Sequence, residues 1–373
     1  MLFSKFHIKH DYDRIQEIWA QLYCEKQHSF FVSWGWFDVW LAQLDEHANV
    51  SLVVGFENNQ PQLAFFLGEI QKRFLGLPIM KQFFINSTGV ALLDDLMIEY
   101  NAIPSLQRDS LLGDNYLHSY SVLELLDSNI MSPASSITFP GFSSLPNDLK
   151  DLQANGYYFE NRAADSRYVD LSQVRANENT YLGLISRNKR SQINRSNRLL
   201  QSTGELRIHK AATVAESLEM YRMMISLHQK SWQLRGQSGA FSNRFLTEFH
   251  EGLIKSNNRQ VEIYSISAGE HVIGYIYGFI SQDGFLYYQS GFDDFDDNKI
   301  KPGLSSHALL IDYMAQRNLN CYDFLVGDED YKRSLATDSN RLNWFTLYRQ
   351  DKPTRMMMQL RKIKRWFNRR FCR

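Results

Sequence analysis

The chain has 373 residues with 41 basic and 41 acidic side chains, a net charge of zero that speaks against a general nucleic-acid binder. Its 3 cysteines, Cys24, Cys321 and Cys372, are too few and too far apart for a disulfide framework or a zinc site, and they fit a reducing compartment. The length suits two cores, and aromatic residues at 14% can fill a core or line a groove.

In chain order, residues 11–25 read as a helix with Ile15, Ile18, Trp19 and Leu22 on one face. The opening MLFSKFHIKHDYDRIQ has no apolar h-region, so no secretory signal is expected. No stretch nears the roughly 18 apolar residues of a transmembrane helix, and a cytoplasmic protein is expected. Residues 30–44, FFVSWGWFDVWLAQL, read as an aromatic helix starting near Ser33. Residues 50–56 and 62–69 read as strands joined at Asn58-Asn59-Gln60-Pro61, and 83–86 as a further strand. Residues 92–100 suit a helix, 119–126 a strand, and 127–147, rich in Ser and Pro, an irregular stretch.

A second unit opens near Arg167. Residues 179–201 predict a helix with a basic middle (Arg187, Lys189, Arg190, Arg195, Arg198), ended by Gly204. A strand at 206–209 and helices at 214–233 and 244–255 follow. Strands come next at 261–267, 272–281 and 285–291, with turns at Ala268-Gly269-Glu270 and Gln282-Asp283-Gly284. A helix at 304–317 opened by Pro302-Gly303, a strand at 322–326, a helical turn at 331–335 and a strand at 344–349 complete the unit. Both halves contain helices followed by strand–turn–strand, which points to an internal duplication, although the first half has no counterpart of Pro302-Gly303.

Residues 291–332 carry the most chemistry. A strand, an acidic loop, a helix start and a second strand form an arrangement that holds an anion beside a sheet. A bulky phosphorylated ligand is expected at Lys301, Gly303, Leu304 and Ser305, with Ser306 adding a hydroxyl; the plain alternative is that Pro302 and Ser305 only begin a helix. Asp293 ends a strand, as a proton acceptor or as part of a solvated acidic loop. Asp323, between Tyr322 and Phe324, needs a partner if buried, with Arg187, Arg190 and Lys332 as candidates, and is structural or catalytic. Arg187 and Arg190 share a helix face. His228 and His307 read as ordinary core or surface histidines.

The segments FFVSWGWFDVW, SRNKRSQINRS, HQKSW…RG…AF, IGYIYGF, YYQSGFDD, PGLSSHALL and YDFLVGDEDYK, in this order of elements, resemble the GCN5-related N-acetyltransferase (GNAT) fold. Over residues 30–350 the chain is more similar to the tandem-domain CelD/BcsL-like group, which is related to the FemAB aminoacyltransferases. The resemblance implies an α/β (α+β) fold of two GNAT-like domains, each a mixed, mostly antiparallel sheet flanked by helices. Residues 1–165 would form a degenerate domain, 166–350 the catalytic one, and 351–373 a basic tail. It implies transfer of an acyl group, acetyl first, from acyl-CoA without a metal. The acceptor would be an amine or hydroxyl of a sugar-nucleotide or lipid-linked glycan in cell-surface polysaccharide synthesis.

In that scheme Asp293, with Asp323 as the lesser candidate, takes the acceptor's proton, and Tyr331 protonates the departing thiolate. Lys301, Gly303, Leu304, Ser305, Ser306 and Lys332 hold the donor. Arg187, Arg190, Trp232, Arg235 and Tyr288 line the acceptor groove. The acetyltransferase pyrophosphate loop here reads DDNKIKPGLSS, and Lys299, Lys301 and Gly303 keep its character. One rival is a FemAB-like aminoacyltransferase using charged tRNA and a peptidoglycan precursor, which predicts a basic platform on the body; another is a non-catalytic partner in polysaccharide assembly. The tail places Met356, Leu360, Ile363, Phe367 and Phe371 on one side of a basic helix. It is expected either to touch the inner membrane surface or to dock on the body.

Overall fold

The computed structural model describes residues 1–45, 48–74, 77–106, 122, 125–126, 128, 130–131, 134–146, 149–178, 180–351 and 354–355. In chain order its elements are β1 (Leu2–His7), α1 (Tyr12–Leu22), α2 (Trp34–Gln43), β2 (Val50–Glu57), β3 (Gln60–Phe74), β4 (Leu77–Ile85), β5 (Ser136–Phe142), α3 (Leu149–Ala154) and β6 (Tyr157–Asp170). They continue with α4 (Leu171–Ala176), α5 (Arg187–Gln201), β7 (Leu206–Lys210), α6 (Val214–Gln233), α7 (Arg244–Lys255), β8 (Val261–Ala268), β9 (His271–Ser281) and β10 (Gly284–Phe292). Last come α8 (Pro302–Gln316), β11 (Cys321–Val326), α9 (Asp330–Leu335) and β12 (Asp338–Arg349).

One unit comprises Met1–Cys24, Leu44–Ala163 and the described residues from Leu342 onward. Its sheet runs β1-β2-β3-β4-β5-β12, antiparallel except for β4 and β5. Asn58 and Asn59 take left-handed φ of 51° and 62°, which asparagine tolerates, and so turn β2 into β3. The 3.6-residue spacing in α1 buries Ile15, Ile18, Trp19 and Leu22, and the Trp19 ring stacks on Phe66 at 5.1 Å. Each such burial contributes about 1.5–3 kcal/mol. Phe65, Phe83, Ile137, Phe139, Phe345 and Leu347 fill the core.

The other unit comprises Glu25–Gln43 and Ala164–Arg341. Its sheet runs β6-β11-β10-β9-β8-β7, and only β10 and β11 run parallel. The sheet's alternation puts Tyr264, Ile266, Ile276, Phe285, Tyr287 and Tyr322 on one side, against Leu310, Ile311 and Met314 of α8 and Ile193 of α5. The other side is aromatic: Phe30, Phe31 and Trp36 meet Phe249, His250, Phe279 and Tyr288. This cluster draws Glu25–Gln43 into the second unit, so a single boundary near residue 165 does not describe the division. The two halves share a plan in which the closing strand is exchanged. β6 follows β5 in the chain yet pairs with β11, and β12 follows β11 yet pairs with β5.

Four local expectations need correction. Residues 92–100 form only a 3₁₀ turn, Asp94–Leu96, because the Asp94 carboxylate accepts from Thr88 N, Thr88 Oγ1 and Gly89 N and closes a loop that competes with a helix. Within 127–147 lies strand β5. Its Pro140-Gly141 reads as a turn, but Gly141, at φ 72°, lets the strand continue to Phe142. The basic helix begins at Arg187 rather than 179, because the Ser186 hydroxyl accepts from Lys189 N as its N-cap. Of residues 119–126, the described Val122, Leu125 and Leu126 are helical, not a strand. The tail from 356 lies outside the described residues. No described helix is long and apolar enough to cross a membrane, and no metal-ligating cluster lies among the described residues.

Candidate active site

The site begins with a parallel pair that stops early. β10 and β11 pair at Gly284↔Cys321, Phe285↔Tyr322 and Leu286↔Asp323, and no further register pair joins them. Beyond that point β9 holds β10 as far as Phe292, and β6 holds β11 at Val326. The two strands therefore diverge beyond Leu286 and Asp323 and leave a gap between them. Two irregularities shape the gap. The register of β10 on β9 shifts by one residue at Tyr288, a bulge between Tyr287↔Gly278 and Gln289↔Tyr277. In β11, Leu325 sits at φ 59°, costly for a leucine.

Asp323 holds that second irregularity. It is 2% exposed, and its Oδ1 accepts from Leu325 N at 2.7 Å and from Ser166 Oγ at 2.7 Å. These bonds give Asp323 a structural place in β11 and correct its candidacy as a base. Lys332 is corrected likewise. Its buried ammonium donates to Val326 O at 3.0 Å and Leu325 O at 3.4 Å, with Glu329 at 3.6 Å, so it fastens the end of β11.

α8 starts beside the gap. Lys301 N donates to Ser196 Oγ at 2.8 Å, and Ser305 Oγ lies 2.8 Å from the same oxygen, so the loop is tied to α5. Ser305 and Ser306 are both 0% exposed, which corrects their expected role as phosphate hydroxyls. The N–H groups of Gly303 and Leu304 remain as the unspent donors at this helix start. A Cβ on Gly303 would lie 3.1 Å from the Phe292 ring, so glycine lets the helix start close on the end of β10. Lys301 is exposed at the same corner.

Three hydroxyls line the inner side. Tyr331 and Tyr287 are hydrogen-bonded to each other, and Tyr287 OH lies 2.7 Å from Ser290 Oγ. Burial, then the neighbouring Tyr287, pushes the Tyr331 phenol well above its usual range, and burial does the same to Tyr287. Both hold their protons at neutral pH, as a proton donor to a thiolate must. His307 stacks on Tyr331 at 5.7 Å, and its Nδ1 lies 2.8 Å from Tyr322 OH. Burial, then Lys332, lowers its pKa to about 3.

On the outer side Asp293 Oδ2 lies 2.8 Å from His271 Nε2, and Asp293 N donates to Ile273 O at 3.0 Å, extending the β9–β10 ladder. Sequence reading missed His271 and Tyr287; the β9–β10 register puts Ile273 across from Asp293, and His271 lies two residues farther along the same strand, on the same face. Of the expected acceptor residues, Tyr288 is corrected. Its ring is 8% exposed, 4.5 Å from His250 and 5.3 Å from Phe279, and belongs to the aromatic core. α6 touches β10 at Gly291, where a Cβ would meet Met224 O at 2.2 Å. Farther along α6, the Arg235 guanidinium lies 4.7 Å over Trp232 and donates to Ser231 O, so these two form a closed local pair. Arg187 and Arg190 lie on the face of α5 away from Ser196, not beside the gap.

Comparison with protein families matches residues 187–333 to the acetyltransferase (GNAT) domain. Comparison with curated proteins returns no match. Among solved structures the chain is similar to FemX, at 10% identity and a TM-score of 0.56, covering 92% of this chain and 97% of that one. It is also similar to a conserved protein of unknown function from Bacteroides thetaiotaomicron VPI-5482, at 12% identity and a TM-score of 0.54, covering 93% and 99%. At these identities the structural likeness concerns the fold. The diverging parallel pair and the helix start beside it lie within residues 187–333, the part of the chain that matches the acetyltransferase (GNAT) domain, and the fold as a whole is similar to that of FemX.

Proposed function

We propose that the protein transfers an acyl group, acetyl first, from acyl-CoA to an amine or hydroxyl of a sugar-nucleotide or lipid-linked glycan precursor. The divergence of β10 and β11 beside the start of α8 carries this reading. The residues fit such a donor. Gly303 leaves a cradle that a Cβ would crowd, and the Gly303 and Leu304 amides, with Lys301 nearby, suit a diphosphate. The gap between β10 and β11 suits the amide-bearing arm. Acyl-CoA supplies the activated thioester.

The chain's own groups do the rest. Asp293 and His271, at the mouth, accept the proton that the acceptor's nucleophile loses. Tyr331 gives a proton to the sulfur, and Tyr287 and Ser290 are placed to replace it. The packed walls keep water from the thioester. Cell-surface polysaccharide synthesis, a cytoplasmic location and peripheral membrane contact through the tail are parts of the same proposal, as is the absence of a nucleic-acid partner.

The fold shared with FemX favours a second reading, transfer of an aminoacyl group from charged tRNA. Titration calorimetry separates the two. Binding of acetyl-CoA and free CoA, with no heat from charged tRNA, is the expected result. Binding of charged tRNA alone moves the assignment to the second reading, and binding of neither contradicts both.

A further inference from the structure

We propose that the outer face of α5 is a second anion site, which takes the diphosphate of a nucleotide- or lipid-linked ligand. Arg187, Arg190, Asn194 and Arg198 recur at steps of three and four and fall on one face, and with Ser191 and Gln201 they line a pocket of about 800 Å³. Ile193, Ser196 and Leu200 occupy the buried face; Arg187, Asn194 and Arg198 lie roughly 130–170° around the helix from its centre, and Arg190 roughly 90°, at its edge. Ser196 is the residue that ties α5 to the donor-side loop at Lys301 and Ser305, so the arginine face looks away from the donor.

The charge here is unspent. Elsewhere in this unit Arg317 and Lys210 bind Glu262, Arg244 binds Glu248, Lys255 binds Glu251 and Arg341 binds Asp165. Among the described residues no carboxylate lies within ion-pair distance of Arg187, Arg190 or Arg198. Like charges one turn apart repel and contribute nothing to folding. Arg190 Nε and Asn197 Oδ1 are buried without a partner on the same helix. Guanidinium forks match phosphate oxygens two at a time. Arg187 and Arg198 are about 16 Å apart along the axis, more than a single phosphate spans, and the pocket has the size of a nucleotide site. The described lining residues all come from α5, so the site is an open face rather than a closed cavity. Naming the acceptor's diphosphate carrier as the occupant rests on the proposed function; the existence of the site does not.

The test compares wild type with the triple variant Arg187→Gln, Arg190→Gln, Arg198→Gln. The probes are uridine diphosphate, phosphatidylcholine vesicles doped with a polyprenyl diphosphate, mixed transfer RNA and acetyl-CoA. The proposal expects the variant to lose at least about tenfold in affinity, some 1.4 kcal/mol, for uridine diphosphate (a nucleotide carrier) or for the vesicles (a lipid carrier). It also expects acetyl-CoA affinity and melting temperature to stay unchanged. It is overturned if wild type binds neither diphosphate probe or the variant binds both as well as wild type. It is equally overturned if acetyl-CoA affinity falls in step, or if only transfer RNA binding is lost. Arg190→Lys, which keeps the charge but removes the fork, should fall between the two proteins and guards against a misfolded triple variant. If acetyl-CoA does not bind wild type while uridine diphosphate does, the donor assignment fails and the α5 site stands.

Discussion

Two histidines flank β10 from opposite sides, and both are neutral because they are buried. His250, in the aromatic cluster, is 0% exposed and burial lowers its pKa from 6.5 to about 3. His307, beside Tyr331, is 1% exposed, and burial, then Lys332, lowers it from 6.5 to about 3. A depressed histidine pKa means that the unfolded chain binds more protons than the native one below pH 6.5. Stability from these groups is therefore complete above that pH and declines as the pH falls towards 3. At pH 5 each histidine should cost about 2 kcal/mol, and the pair about 4. For a unit of this size that is roughly a 10 °C fall in melting temperature. Burial also lowers His228 and raises the carboxyls of Asp94 and Asp312, so the share of His250 and His307 is read as a difference from wild type over the interval from 7 to 5. His250→Gln and His307→Gln keep a hydrogen-bonding side chain without a titrating ring. Chemical denaturation at pH 7 and pH 5 should show the loss reduced by about 2 kcal/mol in either single variant and by about 4 in the double. An undiminished loss in the double variant would refute the burial argument.

Asp323→Asn should keep the acceptor for Leu325 N and Ser166 Oγ and cost about 1 kcal/mol, whereas Asp323→Ala strands both donors and costs about 3; an Asn variant that is fully stable but inactive would instead make Asp323 a catalytic carboxylate. Gly303→Ala puts a methyl 3.1 Å from the Phe292 ring and should raise the KM for acyl-CoA several-fold while leaving the acceptor KM unchanged; an unchanged donor KM counts against the cradle. Tyr287→Phe should lower kcat and increase its solvent isotope effect without altering donor affinity, and kinetics identical to wild type would remove Tyr287 from the proton path. For Glu262, burial opposes ionisation, but bonds from Arg317, Lys210 and Tyr264 outweigh it and lower its pKa. Its contribution is present above the ordinary carboxylate range and lost as the pH falls through the depressed value, so Glu262→Gln should flatten acid denaturation below about pH 4.5; an unaltered acid limb would contradict that balance.

What could be read from the chain follows the range of the interactions concerned. Periods of two and 3.6 sufficed for α1, α6, α7, α8 and the β8–β9–β10 meander, because each buries a face defined by its own residues. β5 escaped notice because Pro140-Gly141 signals a turn locally, while its strand partners lie at 82–84 and 343–348. The diverging pair depends on a register between residues 284–286 and 321–323, and no local pattern encodes where it stops. Ser166 holds Asp323 from 157 positions away, and Ser196 meets Ser305 across 109, so both roles look catalytic or phosphate-binding until the partner is known. Tyr288 misled for a related reason: the bulge beside it interrupts the alternation that would have assigned its ring to the core.

The central claim is that the gap between β10 and β11 holds the acyl donor with its diphosphate on the amides of Gly303 and Leu304. A crystal structure of the protein with a non-hydrolysable acetyl-CoA analogue tests this directly. The account predicts the diphosphate within hydrogen-bond distance of those two amides and the sulfur of the thioester mimic beside the Tyr331 hydroxyl. An analogue bound elsewhere, or with its diphosphate on the arginines of α5, would contradict it.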